Sequence, residues 1–377
     1  MNEPNYEYIR TPEDLLRAVA VLKQCEVLAL DVEFDRDRYA YGFTLCLIQV
    51  FGSDKCWLFD PFSLHDLNDL FALFEDSRII KVMHAPSEDI QLLNQLGCKP
   101  KNIFDTERSA RLLDYGAFSL LNLLQNIIGV ELNKSMQKSD WTRSPLSEQQ
   151  LKYAAEDVAW LPELRERLLE QAQEKGIISW LEEENTFWDL YGAEAKPEGQ
   201  LYNKDDAKKL PDFQLYVYNS LLQVRDRYAK ELNKPGYQVI DKHLLMDVVF
   251  HPEILDDWMK RRGLHPRVKT QDVADELSDA LLKSSGEAEK LELLKFKPTS
   301  RVSFEEREKL KLEKEHLKEE SARQWESLKS EIIEKLGENA LAYIFPDKTL
   351  LALTSGEMLF EEIPFNYRQE LISNNRS

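Results

Sequence analysis

An apolar run that ends in two carboxylates two residues apart constrains this chain more than any other stretch: Leu28-Ala29-Leu30-Asp31-Val32-Glu33-Phe34. Side chains i and i+2 of a β-strand point to one face. A strand over 27–33 therefore sets Asp31 and Glu33 side by side. Like charges that close repel unless a cation lies between them. An isolated Asp-x-Glu is more often the end of a strand running into a solvated acidic turn. A cation site here needs further acids from elsewhere in the chain.

The 377 residues, 43 % of them hydrophobic, are enough for two or three domains with a sizeable core. The net charge of −19 argues against a protein that coats nucleic acid non-specifically, since that needs Lys and Arg. It does not exclude a metal site, because hard divalent cations require carboxylates. Cys25, Cys46, Cys56 and Cys98 lie in or near apolar segments with no CxxC spacing, which suits free thiols in a reducing cytoplasm. The opening residues lack the basic and apolar regions of a signal peptide. No apolar run approaches the roughly 18 residues of a membrane span. A soluble cytoplasmic protein is expected.

Thr11-Pro12-Glu13-Asp14 predicts a helix start, with Thr11 as N-cap, and the helix runs to about residue 23. Strands are predicted over 27–33, 45–51 and 55–60, the last two joined by a Gly52-Ser53-Asp54 turn. A helix over 64–74, a strand over 79–83 and a short strand over 102–104 follow. This order predicts a mixed sheet flanked by helices. A Ser147-x-x-Gln150 capping box opens a helix expected to run over 146–170, followed by another to about 191. Residues 193–209 read as a connector, and 210–285 as a small all-helical domain. Residues 286–377 form an unassigned extension of charged helix plus small apolar segments, either a third module or a helical addition packed on what precedes it.

Partners for Asp31 and Glu33 occur at three places. Asp89 falls in the first turn of a helix starting near Pro86, just beyond the strand that ends at Met83. Ligands of open sheets gather beyond such strand ends. Read alone, Asp89 is also a charge that suits a helix N-terminus. Tyr153 and Asp157 are i, i+4 on one helix face with alanines between, a pattern equally shared by an ordinary amphipathic helix. Asp105 reads as an N-cap after a short strand, either structural or supporting the ligands from behind, and not itself a ligand.

Together these segments resemble the DEDDy 3′→5′ exonucleases, and within them the ribonuclease D group. The likeness rests on Asp31-Val32-Glu33, Asp89 and Tyr153-x-x-x-Asp157. Flanking matches are Leu47-Ile48-Gln49, His84-Ala85, Phe104-Asp105-Thr106, Leu132-x-Lys134-Ser135 and Gln137-x-Ser139-Asp140-Trp141-x-Arg143-x-Pro145-Leu146. It covers most of the first ~190 residues; Glu107 and Ser144 depart from the pattern. Leu222, Arg225, Ala229, Pro235, Ile240, Leu244 and Leu245 give 210–285 a looser resemblance to the HRDC domain.

The resemblance implies a ribonuclease-H-like mixed sheet of five to six strands over 1–192, then the linker and the HRDC-like domain. It implies two divalent ions, Mg²⁺ or Mn²⁺, with Asp31, Glu33 and Asp157 holding the first. Asp31 also reaches the second, with Asp89 contributing directly or through water, and Tyr153 orients the attacking water. The expected activity is hydrolysis of RNA from the 3′ end to 5′-mononucleotides, in maturation of tRNA precursors or other stable RNA. No organic cofactor and no membrane partner is expected. Phe34, Met83 and His84 are candidate contacts for terminal nucleotides, although Phe34 and Met83 read equally as core. Residues 207–285 are close to charge-neutral, and Lys260-Arg261-Arg262 form a local basic cluster suited to phosphates or simply to solvent. Competing readings are a 3′→5′ exonuclease on single-stranded DNA and an inactive RNA-binding protein on the same fold.

Overall fold

The computed structural model of the chain describes residues 4–132, 135–192, 199–296 and 304–375. Lys134, one of the family-matching positions, lies outside them. The chain forms two compact units, Met1–Glu33 with Leu45–Glu194 and Val302–Ser377, and Phe34–Thr44 with Ala195–Arg301.

Six strands build the sheet: β1 (Tyr6–Ile9), β2 (Val27–Arg36), β3 (Phe43–Gly52), β4 (Lys55–Phe59), β5 (Ile80–Met83) and β6 (Ile103–Asp105). Their order is β1-β4-β3-β2-β5-β6. β3 and β4 are antiparallel, with Ile48 opposite Phe59, while β5 runs parallel to both β2 and β6. β2 is thus central, as its near-continuous burial requires. β1 pairs parallel to β4 although its sequence, Tyr-Glu-Tyr-Ile, carries no strong strand signal. It is half-exposed, which is why periodicity alone did not assign it.

Helices α1 (Pro12–Leu22), α2 (Asn68–Glu75), α3 (Ser87–Gln95), α4 (Thr106–Leu112), α5 (Leu120–Leu123), α6 (Glu148–Ala159), α7 (Leu161–Glu174), α8 (Ile178–Asn185) and α9 (Phe187–Tyr191) belong to the first unit. The helix expected over 146–170 is two helices. Pro162 sits in the first turn of α7, where its missing N–H costs nothing, and the chain breaks before it at Trp160. α6 begins with the expected capping box, Ser147 with Gln150. The thiol of Cys56 on β4 donates to Ala155 O at 3.3 Å, seating α6 on the sheet. Ser144, a departure from the family pattern, donates to Asp60 Oδ2 at 2.8 Å and so serves a fold contact.

In the second unit, α10 (Lys204–Lys209), α11 (Asp212–Leu232), α12 (Gly236–Val239), α13 (Lys242–Phe250) and α14 (Gln271–Lys290) surround a core that includes Leu221, Leu222, Trp258 and Leu277. The stretch 193–209 is therefore not all connector. Asn203 and Asp206 cap α10 reciprocally, and buried Asp206 accepts from Lys242 Nζ at 3.3 Å. The tip of the β2–β3 hairpin joins this unit: Tyr41 Oη donates to Asp226 at 2.7 Å, and Tyr237 Oη to Arg38 O at 3.1 Å.

The tail carries α15 (Phe304–Gln324), α16 (Glu326–Lys335), α17 (Glu338–Ile344), α18 (Asp347–Ser355) and α19 (Asn366–Asn374). Its described residues are helical, without the strands that a mixed extension would have. It is not a separate module. Trp325, Leu328, Ile332, Ile344, Phe345, Tyr367 and Leu371 share one core with the sheet and with α4 and α6–α8. The deepest contact is ionic. Glu184 on α8, with no exposed side-chain surface, accepts from Arg108 Nη2 at 2.5 Å, from Tyr343 and Tyr367 hydroxyls at 2.6 Å, and from Arg368. Gly337 lies against Asp114 with φ +126°, and a Cβ there would collide with the Asp114 carboxylate.

Candidate active site

β2 presents Asp31 and Glu33 on the face that also carries core residue Ala29. α6 crosses that face and supplies Asp157. One oxygen from each of Asp31, Glu33 and Asp157 falls within 4.8 Å of the others, and all three residues are half-buried. Asp89 stands in the first turn of α3, beyond the end of β5, and is buried. Tyr153, one turn before Asp157, hydrogen-bonds it and leans its ring on Trp141, with centroids 6.0 Å apart. Trp141 is held in place through Gln150, whose amide donates to Ser139 Oγ and Asp140 O at 3.1 Å.

The electrostatics follow from this crowding. Burial pushes the Asp31 carboxyl up to about 6. Burial and then the charges of Asp31, Asp157 and Asp89 push Glu33 well up, and burial with the charge of Asp31 does the same to Asp89. Burial, with the nearby carboxylates, drives the Tyr153 phenol far above its usual range. Four acids that disfavour one another's ionisation, with only oxygen donors between them, fit a hard divalent cation. Neutral groups would not need such an arrangement.

Asp31, Glu33 and Asp157 open into a cavity of about 340 Å³, lined also by Val32, His84, Ser119, Leu120 and Gln137. His84 Nδ1 lies 2.9 Å from Thr106 Oγ1, and burial lowers its pKa to about 4, so it is neutral near pH 7. Asp105 accepts from Ala85 N, Glu107 N and Trp188 Nε1 at 2.9–3.1 Å, the structural N-cap role expected for it.

Residues 6–173 match the 3′-5′ exonuclease family. Ribonuclease D of Desulfotalea psychrophila is 34 % identical over 245 residues, 64 % of this chain and 65 % of the relative. Ribonuclease D of Sphingobium indicum is 31 % identical over 279 residues, 72 % of this chain and 71 % of the relative. This chain belongs to the ribonuclease D family. The first of these matches spans slightly less than two thirds of the relative's own length, at 65 %. Escherichia coli RNase D, described as an exoribonuclease involved in structured RNA processing, has the same fold: TM-score 0.69 at 24 % identity over 98 % of this chain and 97 % of that one. A Bifidobacterium adolescentis protein reaches TM-score 0.73 at 19 % identity over 100 % of this chain and 99 % of its own. The sheet with its flanking helices is the ribonuclease-H-like fold that the motifs implied.

Four of the five motif residues, Asp31, Glu33, Tyr153 and Asp157, line one cavity, and Asp89 stands outside that lining but close enough for the charge of Asp31 to raise its pKa. The nucleotide-contact candidates divide. His84 lines the cavity. Met83 does not, being 1 % exposed, and a side chain so enclosed has no face to offer a base. Phe34 packs edge-on against Phe43 at 4.8 Å in the second unit. In that unit Lys260 pairs with Asp257 at 2.6 Å, Arg261 is half-buried and Arg262 is exposed. Ser119, Leu120 and Leu121 also line the cavity and were missed; their signal was only a Ser N-cap, with Ser119 accepting from Asn122 N.

The raised acids set a pH dependence for the metal-free protein. Protonated Asp31 stabilises the fold; that stability is complete below about 4, the unfolded value, and is lost as pH rises through about 6. Glu33 and Asp89 act in the same direction. A bound cation should offset the loss. The rise in Tm from Mn²⁺ over EDTA is therefore expected to be larger at pH 8 than at pH 5. An equal rise at both would count against cation binding by these acids.

Proposed function

We propose that this chain is a divalent-metal-dependent 3′→5′ exoribonuclease that releases 5′-mononucleotides from RNA 3′ ends, with tRNA and other stable-RNA precursors as substrates. The observation that carries this reading is the convergence of Asp31, Glu33 and Asp157 within 4.8 Å at the cavity that Tyr153 and His84 also line. Family membership supports the reaction class, and the intact acid set argues against a retired enzyme.

Asp31, Glu33 and Asp157 would hold one Mg²⁺ or Mn²⁺, and Asp31 with Asp89 a second. When bound, such ions activate a water near neutral pH and stabilise charge on the attacking and leaving oxygens. Tyr153 keeps its proton, because its phenol pKa lies far above neutral, so it positions the water by hydrogen bonding and does not act as a base. Asp157 accepts from that hydroxyl and fixes its direction. Lys260, Arg261 and Arg262 would contact phosphates along the substrate. The four unpaired cysteines suit a reducing cytoplasm.

The test is a 5′-labelled single-stranded RNA incubated with the full chain. A ladder shortening from the 3′ end is expected with Mg²⁺ or Mn²⁺, and none with EDTA. Undiminished shortening in EDTA, or binding with no shortening in metal, would overturn the proposal.

A further inference from the structure

His84 follows β5 directly and is the one ring nitrogen donor or acceptor among the described residues lining the carboxylate cavity. Its Nδ1 lies 2.9 Å from Thr106 Oγ1, which in turn lies 3.2 Å from Met83 O. Thr106 is fully buried. A hydroxyl has one proton to give, and a carbonyl can only accept. If Thr106 gave its proton to the ring, its oxygen and Met83 O would face each other with no proton between them in a dry place. The arrangement therefore assigns the Thr106 proton to Met83 O and the ring proton to Nδ1. The ring is neutral, because burial lowers its pKa to about 4. A neutral imidazole protonated at Nδ1 leaves Nε2 as a bare acceptor.

Thr106 occupies the Nδ1 side and does not line the cavity, so the ring edge turned to the cavity is the one that bears Nε2. The acids beside it are acceptors as well. A ligand must bring the donors. On a 3′-terminal nucleotide the sugar donors are its hydroxyls: one in DNA, two in RNA. The carboxylates offer acceptors for one, and His84 adds an acceptor for another. We propose that His84 Nε2 accepts a hydrogen bond from the 2′-hydroxyl of the 3′-terminal ribose, which makes His84 the residue that selects RNA ends over DNA ends. This rests on the exonuclease reading above.

The experiment uses the full chain, Mn²⁺, and two 5′-labelled RNA oligonucleotides that differ only in a ribose or 2′-deoxyribose at the 3′ terminus. Wild type is expected to remove the ribose-ended nucleotide roughly 10- to 100-fold faster, the effect of leaving one buried acceptor without its donor. His84→Ala should collapse that ratio toward one. His84→Gln, which returns an acceptor near the Nε2 position, should restore part of it. Circular dichroism and Tm check that the variants fold, and the wild-type comparison stands even where one does not. Equal rates on both ends by wild type, or a His84→Ala ratio as large as wild type's, would overturn this proposal alone. No shortening of either oligonucleotide by wild type would overturn the exonuclease reading and this proposal together.

Discussion

Asp31→Asn is expected to leave a folded protein that no longer shortens RNA, with a loss of at least about 10³-fold, or roughly 4 kcal/mol in the barrier. In the proposed mechanism Asp31 would serve both ions, and an amide oxygen there carries no charge. The same change removes one buried carboxylate whose pKa is raised by burial, so the metal-free variant is expected to be no less stable than wild type at pH 8. Activity and stability should therefore move in different directions. Tyr153→Phe should cost less, about 10- to 100-fold in kcat, because it removes one positioning hydrogen bond and leaves the acids in place. Single-turnover assays with Mn²⁺ beside thermal melts would measure both. A fully active Asp31→Asn protein would remove the foundation of the proposed mechanism.

The second large effect is on stability. Glu184→Ala is expected to destabilise the fold by about 3–5 kcal/mol, since it strands Arg108 and Arg368 without their shared counter-ion. Although burial pushes the Glu184 carboxyl up, the charges of Arg368 and Arg108 hold it below the usual range. Its contribution is therefore present at neutral pH and fades as pH falls through that lowered value. Arg368→Ala should behave similarly by leaving Glu184 under-compensated. Urea denaturation at pH 7 is the direct measurement. A loss below about 1 kcal/mol for both variants would mean that the network is ornamental and that the tail is held by apolar packing alone.

What the sequence showed and what it hid divide along physical lines. The period of two in Asp31-x-Glu33 and the i, i+4 spacing of Tyr153 and Asp157 are local rules, and the structure has both pairs sharing one face. Asp89 was readable as the first turn of a helix after a strand. Nothing local marked the attachment of the tail. Glu184 and Arg368 are 184 residues apart, and each looks like an ordinary surface charge until the other is placed beside it. The strongly charged run that begins the tail hid the apolar residues after it, such as Trp325 and Leu328, which are buried in the core. Met83 was ambiguous because an apolar residue at the end of a strand reads alike as wedge or core.

The Glu184–Arg368 contact also bears on how the molecule is made. Ribosomes deliver the chain from its amino end, so the helical unit emerges while the sheet still lacks its closing helices. At roughly 5–20 residues per second, the 184 residues between acid and base take about 9–37 s to synthesise. Throughout that interval Glu184 has Arg108 as a counter-ion but not Arg368, and the helix faces that the tail will cover stay bare. The ion cluster on Glu184 and the core that the tail completes are therefore later to form than the sheet they close.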